Sequence, residues 1–124
     1  MILIIGGAYQ GKLEYAKTAY NLSHGDIFTC SDREIDFSRR CVDRIEEFTY
    51  ACVRNEIDAV DYFRARHDQW QDSILICREI TGGVVPLGAD MRAWRQMTGK
   101  LCRYLSGEAR QVTRVFCGLE QRLK

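Results

Sequence analysis

Gly6-Gly7-Ala8-Tyr9-Gln10-Gly11-Lys12 has the spacing G-x-x-x-x-G-K. Glycines at those places let the backbone bend until several N–H groups converge on phosphate oxygens. A helix starting at Lys12 would add its positive dipole end. The Lys12 ammonium is then a point charge for β- and γ-phosphates. The expected ligand is a nucleoside triphosphate, ATP or GTP, held by residues 6–13. The competing reading is a glycine-rich turn carrying a surface lysine.

Such loops continue with Ser or Thr, whose hydroxyl helps to hold Mg²⁺. Leu13 stands there instead. A leucine ligates no metal, so Mg²⁺ depends on phosphates, water and acids elsewhere. Glu79 is the first candidate, because it follows the apolar run Ile74–Cys77. A carboxylate at the end of a buried strand can order a metal-bound water or a hydroxyl nucleophile. Lys12 and Glu79 are therefore the candidate catalytic pair. Asp32 is a weaker candidate for the metal, since an aspartate in a turn more often caps the backbone. Arg92 and Arg95, at the start of a long amphipathic segment, are candidate sources of further positive charge.

The elements that must carry these residues follow from periodicity. Met1–Ile5 is a continuous apolar run, as in a strand buried on both faces. Leu13, Ala16 and Tyr20 share a helical face over 12–22. Residues 26–30 form a short second strand. Val42, Ile45, Phe48 and Cys52 have helical spacing, as do Ile57, Val60 and Phe63, which predicts helices over 39–54 and 57–70. Ile74–Cys77 is a third strand, and 79–88 a loop. Met91, Trp94, Thr98, Leu101 and Leu105 mark a helix of about five turns. Residues 112–117 are a strand, and 119–123 alternate as a further strand would. Strands alternating with helices predict an α/β domain with a mainly parallel sheet flanked by helices, of the P-loop NTPase type, over residues 1–124. Ligands of such sheets bind at the carboxyl ends of the strands, which directs attention to 6–12, 30–38, 78–88 and 117–119.

Composition narrows the function classes. With 124 residues, 46% hydrophobic and 28% charged, the chain suits one ordinary core. Its net charge of +1 gives no case for nucleic acid. The charge is uneven, because 89–124 hold eight basic and three acidic residues while 1–88 are net acidic. That pattern suits a solvated helix face or a surface for anions. No apolar stretch is long enough for a membrane span, and no secretory signal is evident. The six cysteines include no C-x-x-C pair and read as reduced thiols serving as small apolar residues, which implies the cytoplasm.

Several of these stretches resemble one family. The opening Met1-Ile-Leu-Ile-Ile-Gly-Gly-Ala8 is similar to that of the bifunctional adenosylcobinamide kinase/adenosylcobinamide-phosphate guanylyltransferases. Ile74-Leu-Ile-Cys-Arg-Glu-Ile-Thr-Gly-Gly-Val-Val-Pro86 resembles their strand followed by an Asn-Glu-Val-Gly-x-Gly-x-Val-Pro loop. Residues 92–105, with Met97-Thr98-Gly99, and 112–124, with Cys117-Gly118-Leu119, resemble the helix and strands that close the fold. The likeness covers 1–20 and 74–124. It implies a P-loop α/β fold, a homotrimer, and phosphorylation of the aminopropanol hydroxyl of a corrinoid acceptor, a step in cobalamin nucleotide-loop assembly. Three departures accompany it. Gly-Lys-Leu replaces Gly-Lys-Ser; Arg78-Glu79-Ile80-Thr81 replaces Asn-Glu-Val-Gly; and the His-x4-Arg-Pro-x-x-Trp stretch that carries guanylyl groups is missing between Cys30 and Cys41. The only histidines are His24 and His67. The resemblance thus implies the kinase step rather than guanylyl transfer. A nucleotide-binding protein without catalysis, and a kinase of another small alcohol, remain as alternatives.

Overall fold

The computed structural model describes residues 1–80 and 88–124. Among the described residues the strands and α-helices follow one another as β1 (Ile2–Gly6), α1 (Lys12–Tyr20), β2 (Ile27–Thr29), β3 (Cys41–Asp43), α2 (Ile45–Arg54), α3 (Ala59–Ala65), α4 (His67–Trp70), β4 (Ile74–Arg78), α5 (Ala89–Glu108), β5 (Gln111–Phe116) and β6 (Leu119–Arg122), with a short 3-10 helix at His24–Asp26 before β2. The strands make one sheet in the order β2-β3-β4-β1-β5-β6. Every described pairing is parallel except β5 with β6, which is an antiparallel hairpin.

The apolar run at the start of the chain becomes a central strand because both of its faces are covered. Leu3 packs with Val42, Leu75, Cys77 and Val112 beneath α2, α3 and α5. Ile2 and Ile4 point the other way, with Cys41, Ile74, Ile76 and Val115, onto Ala16 of α1. Phe48, Phe63 and Trp70 are fully buried in the first of these layers, and the indole Nε1 of Trp70 donates to the Phe63 carbonyl at 2.7 Å. Cys30, Cys41, Cys52 and Cys77 are buried as free thiols, and burial pushes that of Cys41 up to about 12. No helix among the described residues is long and apolar enough to cross a membrane.

The sequence pattern predicts one helix over 39–54, and the structure divides that stretch. Cys41–Asp43 is a buried strand paired with β2 and β4. Arg44 then turns the chain in the left-handed region, at φ 58° and ψ 48°, and α2 begins at Ile45. Val42 has helical spacing with Ile45 and Phe48 only because strand and helix deliver them to the same core layer. The predicted 57–70 helix is likewise two short helices, with a break at Arg66. Most of the predicted 79–88 loop lies outside the described residues.

The chain places β2, β3 and β4 on one side of β1 and β5 and β6 on the other. The order therefore reverses at β1, and the crevice above its carboxyl end is the natural ligand position in an open parallel sheet.

Candidate functional site

Residues 7–11 leave the end of β1 at that crevice, and α1 starts from it at Lys12. Gly11 has φ +88°, a conformation that L side chains rarely adopt, which explains the glycine before the helix. Gly6 is required for another reason. A Cβ there would lie 2.5 Å from the Val115 carbonyl oxygen and 3.3 Å from the Lys12 stem. Tyr9, at φ 61°, projects its ring fully into solvent at the tip of the loop.

The loop is fastened to the far end of the chain through Gln10. Its side-chain oxygen accepts from the Cys117 N–H at 2.6 Å, and its carbonyl from the Gly118 N–H at 2.9 Å. Both donors belong to the β5–β6 turn, where Cys117 and Gly118 also have positive φ. Gln10 is thus a strut for the loop, a use that the motif spacing does not reveal.

A cavity of about 490 Å³ opens beside the loop. Ala8, Tyr9, Gly11, Lys12 and Leu13 line one side. Gly6, Gly7 and Gln10, which the sequence also assigns to the phosphate site, are not among the lining residues. The Lys12 ammonium donates to the Gly7 carbonyl at 2.7 Å. Leu13 brings no polar atom to the wall and packs against the apolar layer under α1.

The rest of the lining is acidic and basic together. It holds Asp43 and Arg44 from the end of β3, Glu46 and Glu47 from the first turn of α2, and Arg78 from the end of β4. Asp43 is only 7% exposed, and its Oδ1 accepts from the Arg44 N–H at 2.8 Å. Glu46, equally buried, accepts the Arg78 N–H at 2.9 Å, while its backbone carbonyl takes the Trp94 indole at 2.8 Å. The last bond ties α2 to α5 behind the cavity.

Burial raises the Asp43 pKa above 3.8, and the Glu46 charge raises it further. The Arg44 N–H and the charges of Arg44 and Lys12 oppose this without cancelling it. A carboxyl group raised in the folded state binds its proton more tightly there than when unfolded. Folding stability is therefore lost as pH rises from the unfolded value through the folded one. Asp43→Asn keeps the acceptor for the Arg44 N–H and removes the buried charge. Its melting temperature should exceed wild type by a few degrees at pH 7, with the gain shrinking toward pH 4. Thermal melts across that range check it, and a melting temperature at pH 7 below wild type would contradict the assignment.

Glu79 stands where the sequence puts it, just after β4, and its N–H donates to the Gly6 carbonyl at 2.8 Å. Its carboxylate, however, pairs with Arg114 Nε at 3.2 Å and is not part of the cavity lining. Asp32 is exposed and accepts the Arg33 N–H at 2.8 Å, the behaviour of a turn aspartate. His67 meets Trp70 edge-on, with ring centroids 4.7 Å apart, and Glu108 at 3.4 Å, and it is not among the cavity's lining residues. The acids that share the cavity with Lys12 are thus Asp43, Glu46, Glu47 and Glu14. Sequence reasoning passed over Asp43 and Glu46 because a three-residue strand is too short to show its period. The available signal was an acid directly after the apolar pair Cys41-Val42. No protein-family model and no curated protein sequence matches this chain.

Proposed function

We propose that the protein is a nucleoside-triphosphate-dependent phosphotransferase of P-loop type, with ATP or GTP held on residues 7–13. The observation that carries this reading is that Lys12 and the buried Asp43 line one cavity, beside the loop that leaves the strand where the sheet order reverses. The loop supplies backbone N–H groups and a helix start for phosphate oxygens. Lys12 would leave the Gly7 carbonyl for the β- and γ-phosphates. Mg²⁺ brought with the nucleotide would neutralise phosphate charge, and Asp43 suits its coordination sphere, being a buried carboxylate at a strand end. Leu13 gives the metal nothing, so Asp43 and the phosphates must do more than in loops ending in Ser. The acceptor, on the resemblance of 1–20 and 74–124 to adenosylcobinamide kinases, is the aminopropanol hydroxyl of adenosylcobinamide.

Single-turnover transfer of labelled γ-phosphate to adenosylcobinamide tests this reading. Wild type should transfer slowly but measurably, and Asp43→Asn should reduce the rate by about 100-fold or more while leaving nucleotide bound. Transfer unaffected by Asp43→Asn would remove Asp43 from the chemistry. Leu13 favours a second reading, a binding module that senses nucleotide without turning it over. Nucleotide-dependent stabilisation with no transfer to any small alcohol would select it.

A further inference from the structure

Arg44 is placed where stability alone would not put it. It occupies the position before the first residue of α2, where Ser, Thr, Asp or Asn would accept a helix N–H, and it offers no side-chain cap. It brings a positive charge to the positive end of that helix. Its backbone is left-handed, at φ 58° and ψ 48°, which strains a residue with a long side chain. The conformation is held from both sides. The Arg44 N–H donates to Asp43 Oδ1 at 2.8 Å, and its carbonyl accepts the Glu47 N–H at 2.9 Å. Arg44 lines the same cavity as Lys12 and is exposed. Among the described residues its guanidinium makes no ion pair or hydrogen bond, and 81–87 contain no carboxylate.

We propose that Arg44 reads the terminal phosphate of the bound nucleotide, so that the site distinguishes a triphosphate from a diphosphate. This rests on the phosphotransferase reading above. The chemistry is that of a guanidinium fork, which meets two phosphate oxygens with parallel N–H bonds and keeps its charge at any physiological pH. The loop and the α1 terminus account for the phosphates nearest residues 8–12. The last phosphate, reached by Lys12, lies in the cavity that Arg44 and Asp43 also line. The Asp43–Arg44 bond joins the metal candidate to the phosphate reader, so the strained turn sets both groups at once.

The experiment measures dissociation constants of wild type, Arg44→Asn and Arg44→Lys for ATP, GTP, ADP and GDP with Mg²⁺, by calorimetry. Asn tolerates the left-handed backbone and supplies a cap, so Arg44→Asn should melt no lower than wild type. Wild type should hold the triphosphate about tenfold tighter than the diphosphate, with that ratio falling to near unity in Arg44→Asn and diphosphate affinity unchanged. Arg44→Lys should recover only part of the ratio. A ratio untouched by Arg44→Asn, equal weakening of both nucleotides, or no triphosphate preference in wild type would each overturn the proposal. Absence of any nucleotide binding by wild type would instead bring down the phosphate-loop reading beneath it.

Discussion

Lys12→Ala should abolish the rise in melting temperature that ATP or GTP produces, while the unliganded protein melts close to wild type. A ligand bound only by the folded state stabilises it by about 2.7 kcal/mol at a hundredfold excess over Kd, a shift on the order of 10 °C for a chain this size. Among the described residues the ammonium is the one cation that the loop gives to the cavity lining, so on the proposed reading most of the phosphate affinity passes through it. Folding needs it far less. Its described polar contact is the Gly7 carbonyl, on a half-buried side chain that water can replace, so its loss costs on the order of 1–2 kcal/mol. Differential scanning fluorimetry of both proteins, with and without millimolar nucleotide, decides it. An undiminished shift in the variant would mean that the nucleotide sits elsewhere.

Gly6→Ala should be the most damaging small change in the loop. Its methyl group would approach the Val115 carbonyl to 2.5 Å, and a backbone oxygen inside a strand cannot rotate away. Strands β1 and β5 must separate at the end that launches the loop, at a cost of about 1–3 kcal/mol, and nucleotide binding should fall with it. Gly7→Ala, one residue on, is the control. Its added carbon meets only Gln10 Cγ, at an ordinary 3.7 Å. Urea denaturation should therefore separate the two variants clearly, with Gly7→Ala close to wild type. Equal stability of the pair would show that β5 yields at Val115 more readily than a paired strand should.

The outcome for Gly6 could not be foreseen from its place in a motif, and that marks how far the sequence speaks here. Strands β1 and β4 were readable because burial on both faces leaves an uninterrupted apolar run, β5 because Val112, Thr113, Val115 and Phe116 are strand-favouring residues, and α5 because twenty residues repeat their face several times. The phosphate-loop candidate was readable because its geometry rests on glycines close together in sequence. What stayed hidden depends on distant partners or on very few residues. Cys41–Asp43 is three residues long and its apolar positions merge with those of α2, so Asp43 passed for a helix residue. Glu79 was located correctly along the chain, yet its engagement by Arg114 depends on β5 lying beside β1. The bonds from Gln10 to Cys117 and Gly118 likewise depend on the placement of a hairpin more than a hundred residues away.

That distance has a consequence for how the protein comes into being. The central strand is translated before either of its neighbours, since Ile2 pairs with Ile74 on one side and with Gln111 on the other. A nascent chain holding only 1–70 has β1 with neither partner and the loop with neither strut. Such a chain cannot fold piece by piece from its beginning, and its contacts close over long separations, a pattern that slows folding. The apolar β1 run stays unpaired on both sides until β4 emerges and on one side until β5 does, so chaperone occupancy on stalled chains should persist until both strands have left the ribosome. On the proposed reading, nucleotide needs the loop in its final shape, so it would arrive too late to guide any of this and could only hold the finished sheet.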